Sequence, residues 1–162
     1  MQSAGQVDAV QADADQWFMQ AALAAARTAV TVDEVPVGAV LVRAVEIIGS
    51  AHNAPIMLND PTAHAEVLAL RQAAYHLGNY RLTGATLFVT VEPCVMCVGA
   101  MLQARIERVV FGCAEPRAGA LGSAYDLGRD ARGNHRLLIS GGVCAQEARV
   151  LLRNFFRVRR GA

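Results

Sequence analysis

Hydrophobic and polar residues alternate along this chain in two periods, one typical of helices and the other of strands. In residues 63–77, apolar side chains such as Leu70 and Leu77 recur at helical spacing. Residues 85–91 form a near-continuous apolar run of strand length, which is typical of a central strand covered on both faces. The pattern predicts helices at residues 15–31, 63–77, 94–104 and 144–158, and strands at residues 37–42, 45–51, 85–91, 108–112 and 137–140.

The order of these elements predicts an α/β fold. The first two strands follow each other at once and should form a hairpin, although residues 43–46 lack the Gly or Asn that tight turns prefer. The strand, helix and strand within residues 85–112 predict a parallel pair joined by a crossover connection. Together the elements predict a three-layer α/β/α sandwich, with a mixed sheet of about five strands between helices.

The domain organisation follows from length and composition. The chain has 162 residues, 54% of them hydrophobic, which predicts one domain with a full core over residues 14–160. Residues 1–13 are polar and Ala-rich, and we expect them to be a flexible extension before a helix capped by Asp13 or Asp15. Residues 114–135 are rich in Gly, Ala, Arg and Asp, and loops of this length are usually functional or disordered.

The sequence predicts a cytoplasmic protein with no membrane association. Mean hydropathy is high at +0.29, but no apolar run approaches the roughly 18 to 20 residues of a membrane span. The first residues are polar and acidic, so they do not form the basic and apolar start of a secretory signal. In a reducing cytosol, a C-x-x-C pair is more typical of a metal or redox site than of a disulfide.

Basic charge is concentrated in the second part of the chain, and all 15 basic residues are arginine. Residues 1–104 carry four arginines and nine acidic residues, a net charge of −5. Residues 105–162 carry eleven arginines and five acidic residues, a net charge of +6. A basic rear part suits an anionic partner such as nucleic acid. The alternative is a solvated helix face without a partner.

Two short motifs carry the candidate chemistry, His64-x-Glu66 and Pro93-Cys94-x-x-Cys97. His64, Cys94 and Cys97 supply one imidazole and two thiols, and catalytic zinc commonly takes three such ligands and keeps one position open for water. Cys94 and Cys97 lie three residues apart, on one face of the first turn of a predicted helix. His64 lies at the start of another helix, so the positive ends of both helices would favour thiolates over thiols.

Charge counting favours a catalytic zinc site. Two thiolates and a neutral imidazole balance Zn²⁺, and such a centre lowers the pKa of its water less than a centre with neutral ligands does. Glu66 can compensate by accepting the proton of that water and delivering it to a substrate ring nitrogen and to departing ammonia. The alternative is a structural zinc module with a fourth protein ligand. His52, His76 and His135 are not obvious candidates for that position.

The succession of H-x-E and P-C-x-x-C resembles the zinc-dependent cytidine and adenosine deaminases. Outside these motifs, further stretches are similar to the bacterial tRNA adenosine deaminases, and the resemblance covers roughly residues 15–160. The matching stretches are residues 34–40, 60–66, 79–82, 92–97, 108–112, 119–123, 134–136 and 155–157.

This resemblance implies a cytidine deaminase-like fold, a homodimer, one Zn²⁺ per subunit, and hydrolysis of the wobble adenosine of a tRNA anticodon stem-loop to inosine. It implies zinc on His64, Cys94 and Cys97, with Glu66 as the proton shuttle. It also implies that Asn53 hydrogen-bonds the flipped base. The expected substrate contacts are Asn53, the backbone around Ala65 and Val91, and the tail arginines Arg159 and Arg160, which would track RNA phosphates.

The sequence departs from the family pattern in three places. His52 stands where an aromatic residue is expected beside Asn53, and residues 114–116 replace a more charged stretch near the expected RNA backbone. The hairpin turn at residues 43–46 is the third departure. Two alternatives share the motifs. A deaminase of a free base or nucleoside, of guanine or cytosine type, would not need the arginine-rich tail, and a non-catalytic zinc protein could bind RNA without turnover.

Overall fold

The structure is a computed structural model and describes residues 4–161. This part of the chain contains five helices and five strands. They are α1 (Ala4–Thr31), β1 (Gly38–Arg43), β2 (Glu46–His52), α2 (Pro55–Leu58), α3 (Ala65–Leu77), β3 (Thr86–Val91), α4 (Val95–Ala104), β4 (Arg108–Cys113), β5 (Leu138–Ser140) and α5 (Ala145–Arg160). None of the helices in residues 4–161 is both long and apolar enough to cross a membrane.

The strands form one mixed sheet in the order β2-β1-β3-β4-β5. β1 pairs antiparallel with β2 and with β3, while β3, β4 and β5 run parallel to one another. The predicted hairpin, the parallel pair around α4 and the five-stranded mixed sheet are therefore confirmed. Because β3 and β4 are parallel and adjacent, their carboxyl ends meet at one edge of the sheet, where α4 begins.

The two faces of the sheet are covered by different helices, as period-two alternation along β1 requires. Ala39 and Leu41 belong to a core with α3 and α4, whereas Val40 and Val42 belong to a core with α1 and α5. The predicted three-layer sandwich is thus confirmed. α1 packs closely against the sheet at Gly38, because a Cβ at this position would lie 2.0 Å from the carbonyl oxygen of Ala22.

The first helix begins earlier than the sequence suggested. Residues 4–13 were expected to form a loose extension, but they continue α1 as helix, while residues 1–3 lie outside the described residues. Alanine, the best helix former, recurs through this stretch, and no proline interrupts it. The prediction that Asp13 or Asp15 caps the helix is wrong for the same reason, since both lie within α1.

Asp15 instead joins α1 to the sheet. Its two carboxylate oxygens accept hydrogen bonds from the guanidinium of Arg108 on β4 at 2.8 and 2.6 Å. Arg108 also donates to the hydroxyl of Ser140 on β5 at 2.8 Å. Asp15 is buried, so the bidentate partner balances a charge that would otherwise be costly inside the protein.

The β1–β2 turn adopts the conformation that its sequence disfavours. Ala44 and Val45 have φ angles of 48° and 61°, in the left-handed region that two-residue hairpins of the primed types require. Gly and Asn enter this region readily, whereas a β-branched residue is strained there. Val45 is 88% exposed, so packing does not compensate for the strain. The hairpin thus has a two-residue turn closed by the Arg43–Glu46 pair. The absence of Gly or Asn makes this turn strained and does not lead to a longer loop.

Val45→Gly should raise the free energy of unfolding by about 1 kcal/mol, because glycine removes the left-handed strain at an exposed position. Chemical denaturation of the two proteins measures the change. Val45→Thr is the matched control, since it keeps a β-branched side chain at the same φ and should gain nothing. A Val45→Gly protein less stable than the parent would show that the turn is not strained.

Candidate metal centre

Two helix N-termini meet at the sheet edge where β3 and β4 end. Cys94 is the N-cap residue of α4 and follows the end of β3 by three positions, and His64 is the N-cap residue of α3. The backbone N–H of Glu92 donates to the carbonyl of Cys113 at 2.8 Å, which ties the chain leaving β3 to the end of β4. Pro93 has no N–H to continue the strand, so the chain turns into α4 at this point.

The segment before His64 is fixed by local hydrogen bonds. Asp60 Oδ1 accepts from the backbone N–H of Thr62 at 2.8 Å and from its hydroxyl at 2.7 Å. The N–H of Ala54 donates to the carbonyl of Ala63 at 3.0 Å, which joins this turn to the chain after β2. α3 begins at Ala65, two residues after the start of the helix that the sequence predicts, and His64 is its N-cap residue. The Asp60 carboxylate is used on the preceding turn and does not cap the helix.

Three soft donor atoms converge between these helix starts. His64 Nδ1 lies 3.6 Å from Cys94 Sγ and 3.5 Å from Cys97 Sγ, and the three donors lie within 4.8 Å of one another. In a tetrahedral zinc site, bonds of about 2.3 Å to sulfur and 2.0 Å to nitrogen separate these ligands by roughly 3.5 Å. The donor set and its spacing therefore fit zinc.

The cluster has three protein donors among residues 4–161, since neither a fourth His or Cys nor a carboxylate completes it. Catalytic zinc sites with three protein ligands keep one position for water or substrate, whereas structural sites are closed by a fourth protein ligand. The open arrangement favours the catalytic reading of the sequence over the structural one. His135 lies elsewhere, with Nε2 2.6 Å from the carbonyl of Ile106.

The thiols differ in acidity. Hydrogen bonds from Cys97 and from His64 lower the pKa of Cys94 to about 3. The Cys97 thiol donates to that thiolate and is buried, and both effects raise its pKa. The hydrogen bond to Cys94 raises the pKa of His64. Cys94 is therefore the thiol that ionises most readily, and metal binding would require the loss of the Cys97 proton.

Glu66 lies in the first turn of α3, beside the donors but not among them. Its side chain is only 4% exposed, and burial raises the pKa of its carboxyl to about 7. A carboxyl with this pKa is present in both protonation states near neutral pH, as a group that takes up and releases a proton must be. The neighbouring Cys94 thiolate also raises this pKa, whereas His64 lowers it.

Asn53 is held beside the cluster by the start of α3. Its Oδ1 accepts a hydrogen bond from the backbone N–H of Ala65 at 2.9 Å, and its own N–H donates to the carbonyl of Val37 at 3.0 Å. The bond to Ala65 leaves the amide NH₂ of Asn53 to act as a donor. It also occupies the N–H of Ala65, so this amide is not free for a substrate.

The other predicted contact residues lie farther out or point elsewhere. Val91 is buried with the α1–α5 core, so its part in the pocket stays a prediction. Arg159 donates to the carbonyl of Asp33 at 2.6 Å and stacks over the ring of Phe155 at 4.6 Å. Arg160 lies in the last turn of α5 and is exposed. RNA binding by these two arginines also stays a prediction.

Sequence reasoning missed the short helix α2 and the buried carboxylate of Glu92. α2 has Pro55 at its first position and a left-handed Asn59 at its end, both of which are helix signals in the sequence. Glu92 is a charged residue at the end of an apolar strand, and such a residue indicates a partner that the local sequence does not show. The structure gives it four hydrogen bonds from residues 115–123.

Comparisons with known proteins agree with this geometry. The family model described as the cytidine and deoxycytidylate deaminase zinc-binding region matches residues 12–113. The chain belongs to this family. A tRNA-specific adenosine deaminase from Haemophilus influenzae is 47% identical to this deaminase over 152 residues, which are 93% of this chain and 88% of that protein.

Two solved structures with different activities resemble this chain to different extents. A tRNA:A34 deaminase, studied for A-to-I editing at the wobble position of transfer RNA, is 41% identical with a TM-score of 0.81 and covers 83% of this chain and 98% of its own. A guanine deaminase from Bacillus subtilis is 39% identical with a TM-score of 0.58, and covers 60% of this chain and 62% of its own. The likeness to the tRNA deaminase is therefore the more extensive one.

Cys94→Ala should lower zinc affinity by more than about 100-fold, because loss of a residue that only hydrogen-bonds a metal ligand already costs up to that factor. It should lower Tm at the same time, because metal binding is coupled to folding. Elemental analysis and thermal melting of the purified protein measure both changes. Cys144→Ala is the matched control, because Cys144 is half-buried but lies outside the donor cluster. Full zinc content in Cys94→Ala would contradict the ligand assignment.

Proposed function

We propose that this protein hydrolyses adenosine to inosine at the wobble position of a tRNA anticodon. The observation that carries the proposal is the open His64–Cys94–Cys97 cluster with buried Glu66 beside it. The chain that holds it is 41–47% identical, over more than four-fifths of its length, to tRNA adenosine deaminases. We assign this activity to a single deaminase domain spanning residues 14–160.

His64, Cys94 and Cys97 would hold one zinc ion per subunit. When bound there, zinc supplies a Lewis acid that makes water a nucleophile at neutral pH. The protein itself favours negative charge on these donors before any substrate binds. The N-termini of α3 and α4 stabilise negative charge on the donors, and Cys94 is the thiol that ionises most readily.

Glu66 moves the protons of the reaction. As a carboxylate it accepts a proton from the attacking water, whose oxygen forms a bond to C6 of adenine. The protonated carboxyl then donates to ring N1. Glu66 next takes the proton of the new C6 hydroxyl and delivers it to the amino group, so that C6 becomes a carbonyl as the amino group leaves. The C6–N bond breaks with its electron pair on nitrogen, so water and adenosine yield inosine and ammonia. Burial keeps the carboxyl near the pKa that such two-way transfer requires.

Asn53 would orient the base. Its carbonyl oxygen is already occupied by Ala65, so its NH₂ group is left to donate to an acceptor on the purine. A base in an anticodon loop is single-stranded and can be splayed into a pocket, which a base in a duplex cannot do without unpairing. A single-stranded RNA loop can therefore present one base to a site at the edge of the sheet.

We further propose that the protein is a homodimer and works in the cytoplasm, where tRNA is its substrate. Support for the dimer comes from exposed apolar side chains on α2 and on the first turn of α4. Ile56, Met57 and Leu58 are 65%, 55% and 51% exposed, and Val95 and Met96 are 44% and 37% exposed. Exposed large apolar side chains in such number are typical of an interface.

A second candidate function is deamination of free guanine, which the likeness to the Bacillus subtilis guanine deaminase favours. Purified protein should be incubated with an anticodon stem-loop carrying wobble adenosine, and in parallel with guanine and with cytosine. Inosine formation in the stem-loop is the expected result. Ammonia release from guanine or cytosine, with no inosine in the stem-loop at micromolar enzyme, would replace the proposed function by the second candidate.

Glu66→Gln should lower kcat for the stem-loop by about 10²- to 10⁴-fold, because glutamine cannot carry the transferred proton. Its zinc content should stay at the parental level, since Glu66 is not one of the three donors. Nucleoside analysis of the digested RNA measures turnover, and elemental analysis measures zinc. Glu107→Gln removes the same charge at an exposed position far from the cluster, and it should keep full activity.

Parental turnover in Glu66→Gln would contradict the proton-transfer role. Loss of zinc together with turnover would instead show that Glu66 supports metal binding.

Arg160→Ala should weaken stem-loop binding and reduce the slope of log Kd against log salt by about 1, as loss of one phosphate contact does. Fluorescence anisotropy at several salt concentrations measures both quantities. Arg43→Ala is the matched control, because Arg43 is exposed at the end of β1 that lies away from the cluster. Equal losses in both variants, or none in either, would exclude a specific contact by Arg160.

A further inference from the structure

Glu92 is a buried carboxylate in a position that the proposed mechanism does not use. It lies after the end of β3 and directly before Pro93 and Cys94, and it is only 4% exposed. It is not a member of the donor cluster. A buried charge is costly unless hydrogen bonds replace its hydration, so the partners of this carboxylate indicate what it does.

The four partners of Glu92 all lie in one loop. Its Oε1 accepts from the backbone N–H groups of Leu121 and Ser123, each at 3.0 Å. Its Oε2 accepts from the N–H of Glu115 at 3.0 Å and from the hydroxyl of Ser123. These four donors replace the hydration that the buried carboxylate has lost. Because a carboxylate offers about four acceptor sites, none is left for a metal or a substrate.

This loop, residues 114–124 and here called the site loop, lies against the metal centre. The N–H of Ala120 donates to the carbonyl of Pro93 at 2.8 Å, and Gly119 forms an antiparallel bridge with Cys94. The approach is close, because a Cβ on Gly119 would lie 2.4 Å from the carboxyl carbon of Glu92. The site loop therefore lies beside a zinc ligand. Two backbone contacts and the four hydrogen bonds to the Glu92 carboxylate hold it there.

We infer that Glu92 is a positioning residue that fixes the site loop for RNA binding. This inference rests on the proposed function. The loop carries Arg117 at an exposed position, with its backbone N–H bound by the carboxylate of Glu115 at 2.9 Å. An exposed guanidinium on a rigid loop beside the centre is suited to contact an RNA phosphate.

The metal centre does not depend on the same carboxylate. The carbonyl of Cys94 accepts from the N–H of Val98 at 3.0 Å, and the backbone of Glu92 is bound to β4 at Cys113. Loss of the Glu92 charge should therefore release the site loop and leave the zinc ligands in place. The predicted effect falls on substrate binding and not on the chemical step.

Glu92→Gln tests the inference, because the amide NH₂ faces donors where a carboxylate oxygen stood. We expect KM for the anticodon stem-loop to rise about tenfold, the effect of losing one charge-assisted hydrogen bond, with kcat at saturating RNA and zinc content unchanged. Ser123→Ala removes only the hydroxyl donor and should raise KM by a smaller factor. Glu107→Gln is the matched exposed control and should change neither parameter.

An unchanged KM in both loop variants would overturn the inference. A fall in zinc content and kcat in Glu92→Gln would also overturn it, since Glu92 would then act through Cys94. If Glu92→Gln does not fold, the KM of Ser123→Ala decides alone.

Limited trypsin digestion separates this inference from the proposed function. Cleavage after Arg117 reports the freedom of the site loop without any substrate. It should be faster in Glu92→Gln than in the parent and in Glu107→Gln, and equal rates would overturn the positioning role. If the parent protein leaves the stem-loop unmodified, the proposed function fails, while faster cleavage would still support fixation of the loop by Glu92.

Discussion

The structure depends on one constraint, that two helix N-termini must meet at the same edge of the sheet. Each helix brings donors of its own, and the three donors lie within 4.8 Å of one another. The parallel pairing of β3 and β4 places the start of α4, and the turn at Asp60 places the start of α3. The partial positive charges of both helix ends then stabilise the negative charge that gathers there. Fold and chemistry are therefore coupled at this edge.

The elements that carry the site could be predicted because their signals are local. Apolar runs of strand length mark β3 and β4, and a helix begins within each of the H-x-E and P-C-x-x-C motifs. The spacing of Cys94 and Cys97 fixes their common face once α4 exists. Convergence of His64 with these thiols was also predictable, since the chemistry of three soft donors requires it. The family was indicated by resemblance to the two motifs, whereas the open fourth position was one of two alternatives until the structure gave three donors among residues 4–161.

The remaining features depend on partners that are distant in sequence. Asp15 resembles a helix cap until Arg108, on β4, is seen to bind it. Glu92 resembles an ordinary polar residue after a strand, because its donors come from residues 115–123. The early start of α1 was missed because a polar, Ala-rich stretch is compatible with both coil and helix. Local pattern gives the preferred conformation of a segment, whereas long-range ion pairs and hydrogen bonds to buried carboxylates decide where it is anchored.

The strained hairpin turn and the metal centre lie at opposite ends of the same strands. Val42, next to the turn, pairs with Thr86 at the start of β3. At the other end of β1, the N–H of Gly38 donates to the hydroxyl of Thr90, near the end of β3. Stability and catalysis are therefore separable in this protein. A protein whose hairpin turn has been made less strained would be more stable, and it would tolerate destabilising substitutions around the zinc donors. More variants of the metal centre would then fold well enough to be studied.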